Sequence, residues 1–147
     1  MNFPRIALAA VAAWVVALPV GFVINDFLLA EIYETNRAVM RPAADVTANL
    51  PLGFAFVLVG FFAFAYAYAK GYEGGSGVME GVRFGVLVAL IVIGFGLIWQ
   101  YILYPIDGRL AAALIVDSIV EFAIYGGVIG AIYRPVEKAT RHRTAVL

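Results

Sequence analysis

Four long apolar stretches run through the sequence, at about residues 6–30, 50–69, 78–104 and 110–133. An α-helix needs roughly 20 such residues to cross about 30 Å of hydrocarbon. Inside a bilayer every backbone N–H and C=O must be satisfied within the segment, so apolar stretches of this length fold as helices. The sequence therefore predicts an all-α fold, a four-helix transmembrane bundle over residues 1–135, followed by a charged cytoplasmic tail at 136–147.

The composition agrees with a lipid environment. Hydrophobic residues make up 64% of the chain and the mean hydropathy is +0.95, whereas soluble domains are about 45–50% apolar. The 10 basic and 10 acidic residues balance to a net charge of zero. Because no basic excess is present, we expect the lipid bilayer, and not a nucleic acid, as the partner.

The residue types that most often carry catalysis are scarce. The chain has no cysteine, and its single histidine is His142, in the charged tail. Thiolate chemistry and cysteine metal sites are therefore excluded. A hydrolytic triad would have no base inside the membrane. We expect no metal, no cofactor and no enzymatic activity.

The distribution of positive charge predicts the orientation. Seven basic residues flank one side of the predicted bundle: Arg5, Lys70, Arg83, Arg134, Lys138, Arg141 and Arg143. Three flank the other: Arg37, Arg41 and Arg109. Cytoplasmic loops carry the excess of Lys and Arg. Both termini are thus predicted to be cytoplasmic, in a multi-pass protein of the bacterial inner membrane.

Prolines and polar residues mark the predicted helix ends. Pro19 should kink the first helix, which we expect to continue beyond the bilayer as far as Pro42. Asn49 is expected to cap the second helix, with Pro51 in its first turn. Asp107 is expected to form a tight turn and to cap the fourth helix.

Two carboxylates, those of Asp117 and Glu121, lie one turn apart in the fourth stretch and on the same helical face. A charged carboxylate within a span costs at least a few kcal/mol. In one interpretation both acids are structural, either neutral or bonded to neighbouring helices. In the other they form a protonatable site for a cation or a proton.

Further polar side chains are predicted in the outer half of the membrane, at depths similar to that of Asp117: Asn25, Asp26 and Gln100. Together with the two acids they form a candidate ion, proton or ligand site. Arg37, Arg41 and Arg109 are predicted just beyond them. These arginines are either contacts for an anion or ordinary interfacial residues.

Glycines recur at helical spacing in the last two stretches: Gly77, Gly81 and Gly85 in the third, Gly126 and Gly130 in the fourth. Small residues four apart let membrane helices approach closely. They indicate either tight packing within one bundle or the seam of a homodimer, and the spacing alone does not separate these interpretations.

Two segments resemble a known group of proteins: Glu80-Gly81-Val82-Arg83-Phe84-Gly85, and Val116-Asp117 followed by Gly126-Gly127-Val128-Ile129-Gly130-Ala131-Ile132-Tyr133. The chain resembles small bacterial four-span integral membrane proteins that are grouped as a domain of unknown function, which implies a fold but no activity. It is less similar to the small multidrug transporters. These also have four short spans and a membrane carboxylate, but in the first span and not the fourth.

Two functional hypotheses follow. The first is a non-enzymatic inner-membrane protein of undefined role, whose acids stabilise the bundle. The alternative is a small proton- or cation-coupled transporter that acts as a dimer through Glu121 and Asp117. A hydrated cavity that Asp117 and Glu121 face together with Asp26 or Gln100 would favour transport, whereas acids that face packed, hydrogen-bonded side chains would favour a structural role.

Overall fold

The computed structural model describes residues 1–133, which are all-helical apart from short turns. Four helical spans are long and apolar enough to cross a membrane: Phe3–Leu28, Ala43–Gly71, Gly77–Leu103 and Gly108–Ile132. The prediction of an all-helical fold with four helices long and apolar enough to cross a membrane is thereby confirmed. The predicted tail and His142 lie outside the described residues.

Two of the spans contain a π-helical turn. Span 1 consists of α1 (Phe3–Phe22) and a π-helical turn at Val23–Leu28. Span 3 consists of α4 (Gly77–Val92), a π-helical turn at Ile93–Leu97, and α5 (Ile98–Leu103). A π-turn holds more residues than an α-turn, so it changes the direction in which the following side chains project.

The other two spans are single helices. Span 2 is α3 (Ala43–Gly71) and span 4 is α6 (Gly108–Ile132). Between spans 1 and 2 the chain forms a short helix, α2 (Ala30–Thr35), and a 3-10 turn at Arg37–Val39. The turn between α3 and α4 passes through Gly74, whose φ of 94° is a conformation that favours glycine.

The prediction that the first helix continues to Pro42 was wrong. The Leu29 N–H bonds to the carbonyl of Ile24, five residues back, at 2.9 Å, and the helix of span 1 ends there. Pro19 lies inside α1, and its carbonyl accepts a bond from the Val23 N–H at the start of the π-turn.

The predicted start of the second helix was also wrong. The helix begins at Ala43, directly after Pro42. Asn49 is therefore an interior residue, and its side-chain amide donates to the carbonyl of Asp45 at 2.7 Å. Alanines 43 and 44 are strong helix formers, so the polar segment that we expected to be a linker is helical. Pro51 lies in the interior of α3 as well.

The predicted glycine stripes face each other in one chain. α6 packs along α4, while α1 contacts both α3 and α6. A Cβ atom on Gly81 would overlap the Gly126 carbonyl, and one on Gly130 would overlap the Gly77 carbonyl. These glycines bring the two backbones into direct contact and are therefore occupied within the bundle.

The buried core lies at the end of the bundle that carries the α3–α4 turn. It combines the start of α1 with the last turns of α3 and α6: Ile6, Ala9, Ala10, Ala13, Phe61, Phe64, Ala65, Tyr68, Tyr125, Ile129 and Tyr133. Within it the Tyr68 hydroxyl donates to the Gly77 carbonyl at 3.0 Å. Beyond this core the helices separate and leave a cavity.

A cavity between the four spans

A cavity of about 660 Å³ lies next to the core and receives side chains from all four spans. Its wall is mostly apolar and aromatic, and the aromatic residues are Trp14, Phe54, Phe61, Phe64, Phe122 and Tyr125. Val88 and Val92 of α4 close one side. The size and the apolar character are typical of a site for a small molecule.

The Glu121 carboxylate lies in the wall of this cavity. On α6 the glycines face α4, and Glu121 faces α1 instead. There it lies against Gly21, because a Cβ atom on that glycine would be 3.6 Å from Glu121 Oε1. The absence of a side chain at Gly21 thus leaves room for the carboxylate. The Tyr125 hydroxyl, one turn further along α6, interacts with it.

The neutral polar groups in the wall are already bonded within the protein. Asn25 Nδ2 donates to the Gly21 carbonyl at 2.9 Å, and Asn25 Oδ1 accepts from the Tyr33 hydroxyl at 2.7 Å. The indole N–H of Trp14 donates to the Phe54 carbonyl at 3.2 Å. Within residues 1–133 no lysine or arginine lines the cavity. Glu121 is therefore the charged group that the wall offers to a ligand.

Asp117 lies outside the cavity wall, one turn from Glu121 towards the start of α6. The residue is half-buried, and its Oδ1 is buried without a hydrogen-bond partner among the described residues. A carboxylate that served to hold the bundle together would have such a partner. The geometry of Asp117 therefore does not match that of an acid bonded to a neighbouring helix.

Tyr33 of α2 lies close to both acids. Burial, and then the negative charges of Asp117, Glu121 and Asp26, raise the pKa of the Tyr33 hydroxyl. The hydroxyl therefore keeps its proton and remains the donor to Asn25. Through this bond α2 is held over the end of the cavity where the π-turn of span 1 lies.

The structure brings together only part of the predicted polar group. Asn25 and Glu121 share the cavity wall, and Asp26 acts on Tyr33 but is exposed. Gln100 is exposed on α5 and does not line the cavity.

The three predicted outer arginines have different surroundings. Arg37 forms an exposed ion pair with Glu34 at 2.9 Å. Arg109 lies beside Asp107, whose pKa is lowered first by the Leu110 N–H and then by Asn36 and Arg109. Arg41 lines a shallow groove on the surface of α3. The three arginines thus do not share one set of contacts.

Within residues 1–133, no three His, Cys, Asp or Glu side chains are arranged so that they could hold a metal ion. Comparison with family models, with curated proteins and with solved structures found no match. The chemistry of the cavity is thus the available guide to function.

Proposed function

We propose that this protein is a small proton-coupled transporter of the bacterial inner membrane, with both termini in the cytoplasm. It binds an apolar organic cation in the cavity, with Glu121 as the anionic partner. The observation that carries the proposal is a carboxylate in an aromatic wall that contains no basic side chain and whose neutral polar groups are already bonded.

The physical basis is the cost of an uncompensated charge in an apolar site. A buried carboxylate must be paired, or it takes up a proton and becomes neutral. A bound cation and a proton therefore compete for Glu121, and release of one favours uptake of the other. The faces of Trp14, Phe54 and Phe61 add favourable cation–π contacts for the ligand.

A purely structural role for the acids has less support. The close approach of α4 and α6 comes from their glycines, while Glu121 faces a cavity and Asp117 Oδ1 has no partner in the described part of the chain. The proposal involves no covalent step, in line with the sequence-based expectation that the protein is not an enzyme. A homodimer stays a prediction, and it would need a face other than the glycine stripes.

Ligand binding can be measured with an internal reporter. The chain has two tryptophans, and Trp14 lines the cavity whereas Trp99 is exposed on α5. In a Trp99→Phe background, benzyltrimethylammonium should change the Trp14 fluorescence. Glu121→Gln should weaken binding by at least about tenfold, which corresponds to 1.4 kcal/mol. The matched control, Glu31→Gln, removes an exposed acid of α2 and should bind as the parent does.

Coupling can be tested in proteoliposomes. A pH gradient, acidic inside, should drive benzyltrimethylammonium uptake by the unmutated protein, and Glu121→Gln of equal thermal stability should abolish it. Uptake that is absent from the unmutated protein, or equal in Glu121→Gln, would contradict the proposal. The neutral isostere neopentylbenzene should bind equally to both proteins, which shows that the cavity itself is intact.

A further inference from the structure

A second concave surface lies on the outside of the bundle, along the first turns of α3. This groove has a volume of about 600 Å³. Arg41 lies in its wall together with four apolar side chains, those of Val46, Leu50, Leu52 and Phe56. It is separate from the cavity between the spans, because none of these residues lines that cavity.

Arg41 differs from the other two outer arginines in its pairing. Arg37 is bonded to Glu34 and Arg109 lies beside Asp107. Arg41 has no acidic partner within salt-bridge distance among the described residues. The remaining polar residue of the groove, Asn49, has its amide committed to the Asp45 carbonyl. The groove thus combines an unpaired positive charge with an apolar floor.

The groove is shallow, but it has the length to hold part of a lipid acyl chain. α3 has 29 residues, and at 1.5 Å per residue it is about 43 Å long, whereas the hydrocarbon core is about 30 Å thick. α3 is therefore longer than the hydrocarbon core is thick, which leaves room for its first turns, and for Arg41 just before them, in the headgroup layer. From Val46 to Phe56 the groove follows ten helical steps, or about 15 Å. The groove is open around Gly53, since a Cβ atom there would meet nothing within 4 Å.

We propose that this groove binds an anionic phospholipid. The lipid phosphate lies on the Arg41 guanidinium, and an acyl chain follows α3 past Gly53 towards Phe56. A guanidinium forms charge-assisted hydrogen bonds with phosphate oxygens. The unpaired charge favours a lipid with net negative charge over a zwitterionic one. This proposal does not depend on the transport proposal.

The test uses the full chain, purified from nanodiscs that contain equal amounts of phosphatidylglycerol and phosphatidylcholine, with retained lipid counted by native mass spectrometry. The unmutated protein should retain phosphatidylglycerol preferentially, and Arg41→Gln should reduce that preference about fivefold. Arg37→Gln is the matched control, because Arg37 is already paired with Glu34. It should keep the preference.

A second pair of variants tests the acyl-chain path. Gly53→Leu fills the groove and should lose the retained lipid, whereas Gly94→Leu, at another glycine with open space around it, should not. Equal retention of both lipids by the unmutated protein would overturn the proposal. So would an Arg41→Gln variant that behaves as the parent, or a protein dimer that Gly53→Leu dissociates.

Discussion

Asp107 joins two parts of the chain that are far apart in sequence. Its Oδ1 accepts from the Leu110 N–H at 2.7 Å, which caps α6. Its Oδ2 accepts from Asn36 Nδ2 at 3.1 Å, and its own N–H donates to Asn36 Oδ1 at 2.9 Å. Asn36 is 5% exposed. One aspartate therefore positions the helix that carries Asp117 and Glu121 and anchors the segment after α2.

The stability of the protein is expected to depend on pH through the Asp107 carboxylate. The bonds from Leu110 and Asn36 lower the pKa of Asp107 in the folded protein. The ionised carboxylate therefore contributes fully to the free energy of unfolding above its unfolded-state pKa, and this contribution is lost as the pH falls through the folded-state pKa. Between about pH 5 and pH 3 the parent should lose more thermal stability than Asp107→Asn, because the amide does not titrate. Thermal melts in detergent measure this.

The matched control is Asp45→Asn, which removes an exposed carboxylate from the start of α3 and should melt in parallel with the parent over the same pH range. An Asp107→Asn variant that lost stability as steeply as the parent would contradict the assignment.

Residues differ in how far the sequence reveals their roles. The Asp107 cap could be predicted and is confirmed, because a cap depends on a few neighbouring residues. The contact of Glu121 with Gly21 joins positions 100 apart, and no local pattern predicts it. The same holds for Tyr33, whose position close to both acids no local pattern reveals, and for Gln100, which the structure leaves outside the site. Helical periodicity does place Asp117 and Glu121 on one face of α6, opposite the glycines.

At the scale of helices, hydropathy predicts the spans but not their ends. Four apolar stretches were sufficient to predict four helices that are long and apolar enough to cross a membrane. The π-turn after α1 and the early start of α3 were not predicted, since both depend on local backbone hydrogen bonding that apolar composition does not reveal. The π-turn affects the cavity, because it includes Asn25, which lines the cavity wall.

The glycine contact between α4 and α6 predicts a sharp difference between two chemically identical substitutions. Gly81→Ala places a methyl group on the Gly126 carbonyl and should destabilise the protein by about 1–3 kcal/mol, the usual cost of overpacking. Gly53→Ala adds the same methyl group in open space and should be neutral or slightly stabilising. Thermal unfolding in detergent compares them.

Equal melting temperatures for the two alanine variants would show that the α4–α6 contact does not hold the bundle together. Gly126→Ala provides an independent check from the other helix, since its methyl group would overlap the Gly81 carbonyl. It should match Gly81→Ala and not Gly53→Ala.

The whole molecule is asymmetric along the axis of the bundle. The buried aromatic core lies at the end with the α3–α4 turn. The end with α2 is held by the bonds of Tyr33 and Asn36, and each such bond contributes only about 0.5–1.5 kcal/mol. Elements held by a few polar contacts open more easily than packed cores. We therefore expect exchange between the cavity and the aqueous phase at the α2 end.

The distribution of charge predicts which side of the membrane this end faces. Seven basic residues against three predict that the α3–α4 turn and both termini lie in the cytoplasm and that the segment after α2 lies outside. The absence of cysteine makes the parent protein a clean background for labelling. Ala38 lies exposed after α2, and Ser76 lies exposed before α4, where its side chain makes no capping bond.

A membrane-impermeant maleimide added to intact spheroplasts should therefore label Ala38→Cys but not Ser76→Cys, and it should label both after permeabilisation. The cysteine-free parent should remain unlabelled throughout. The reverse labelling pattern would show that the protein has the opposite orientation. The α2 end would then open towards the cytoplasm, whereas the direction of net exchange would still be set by the proton gradient. Labelling of both positions in intact spheroplasts would contradict a single fixed topology.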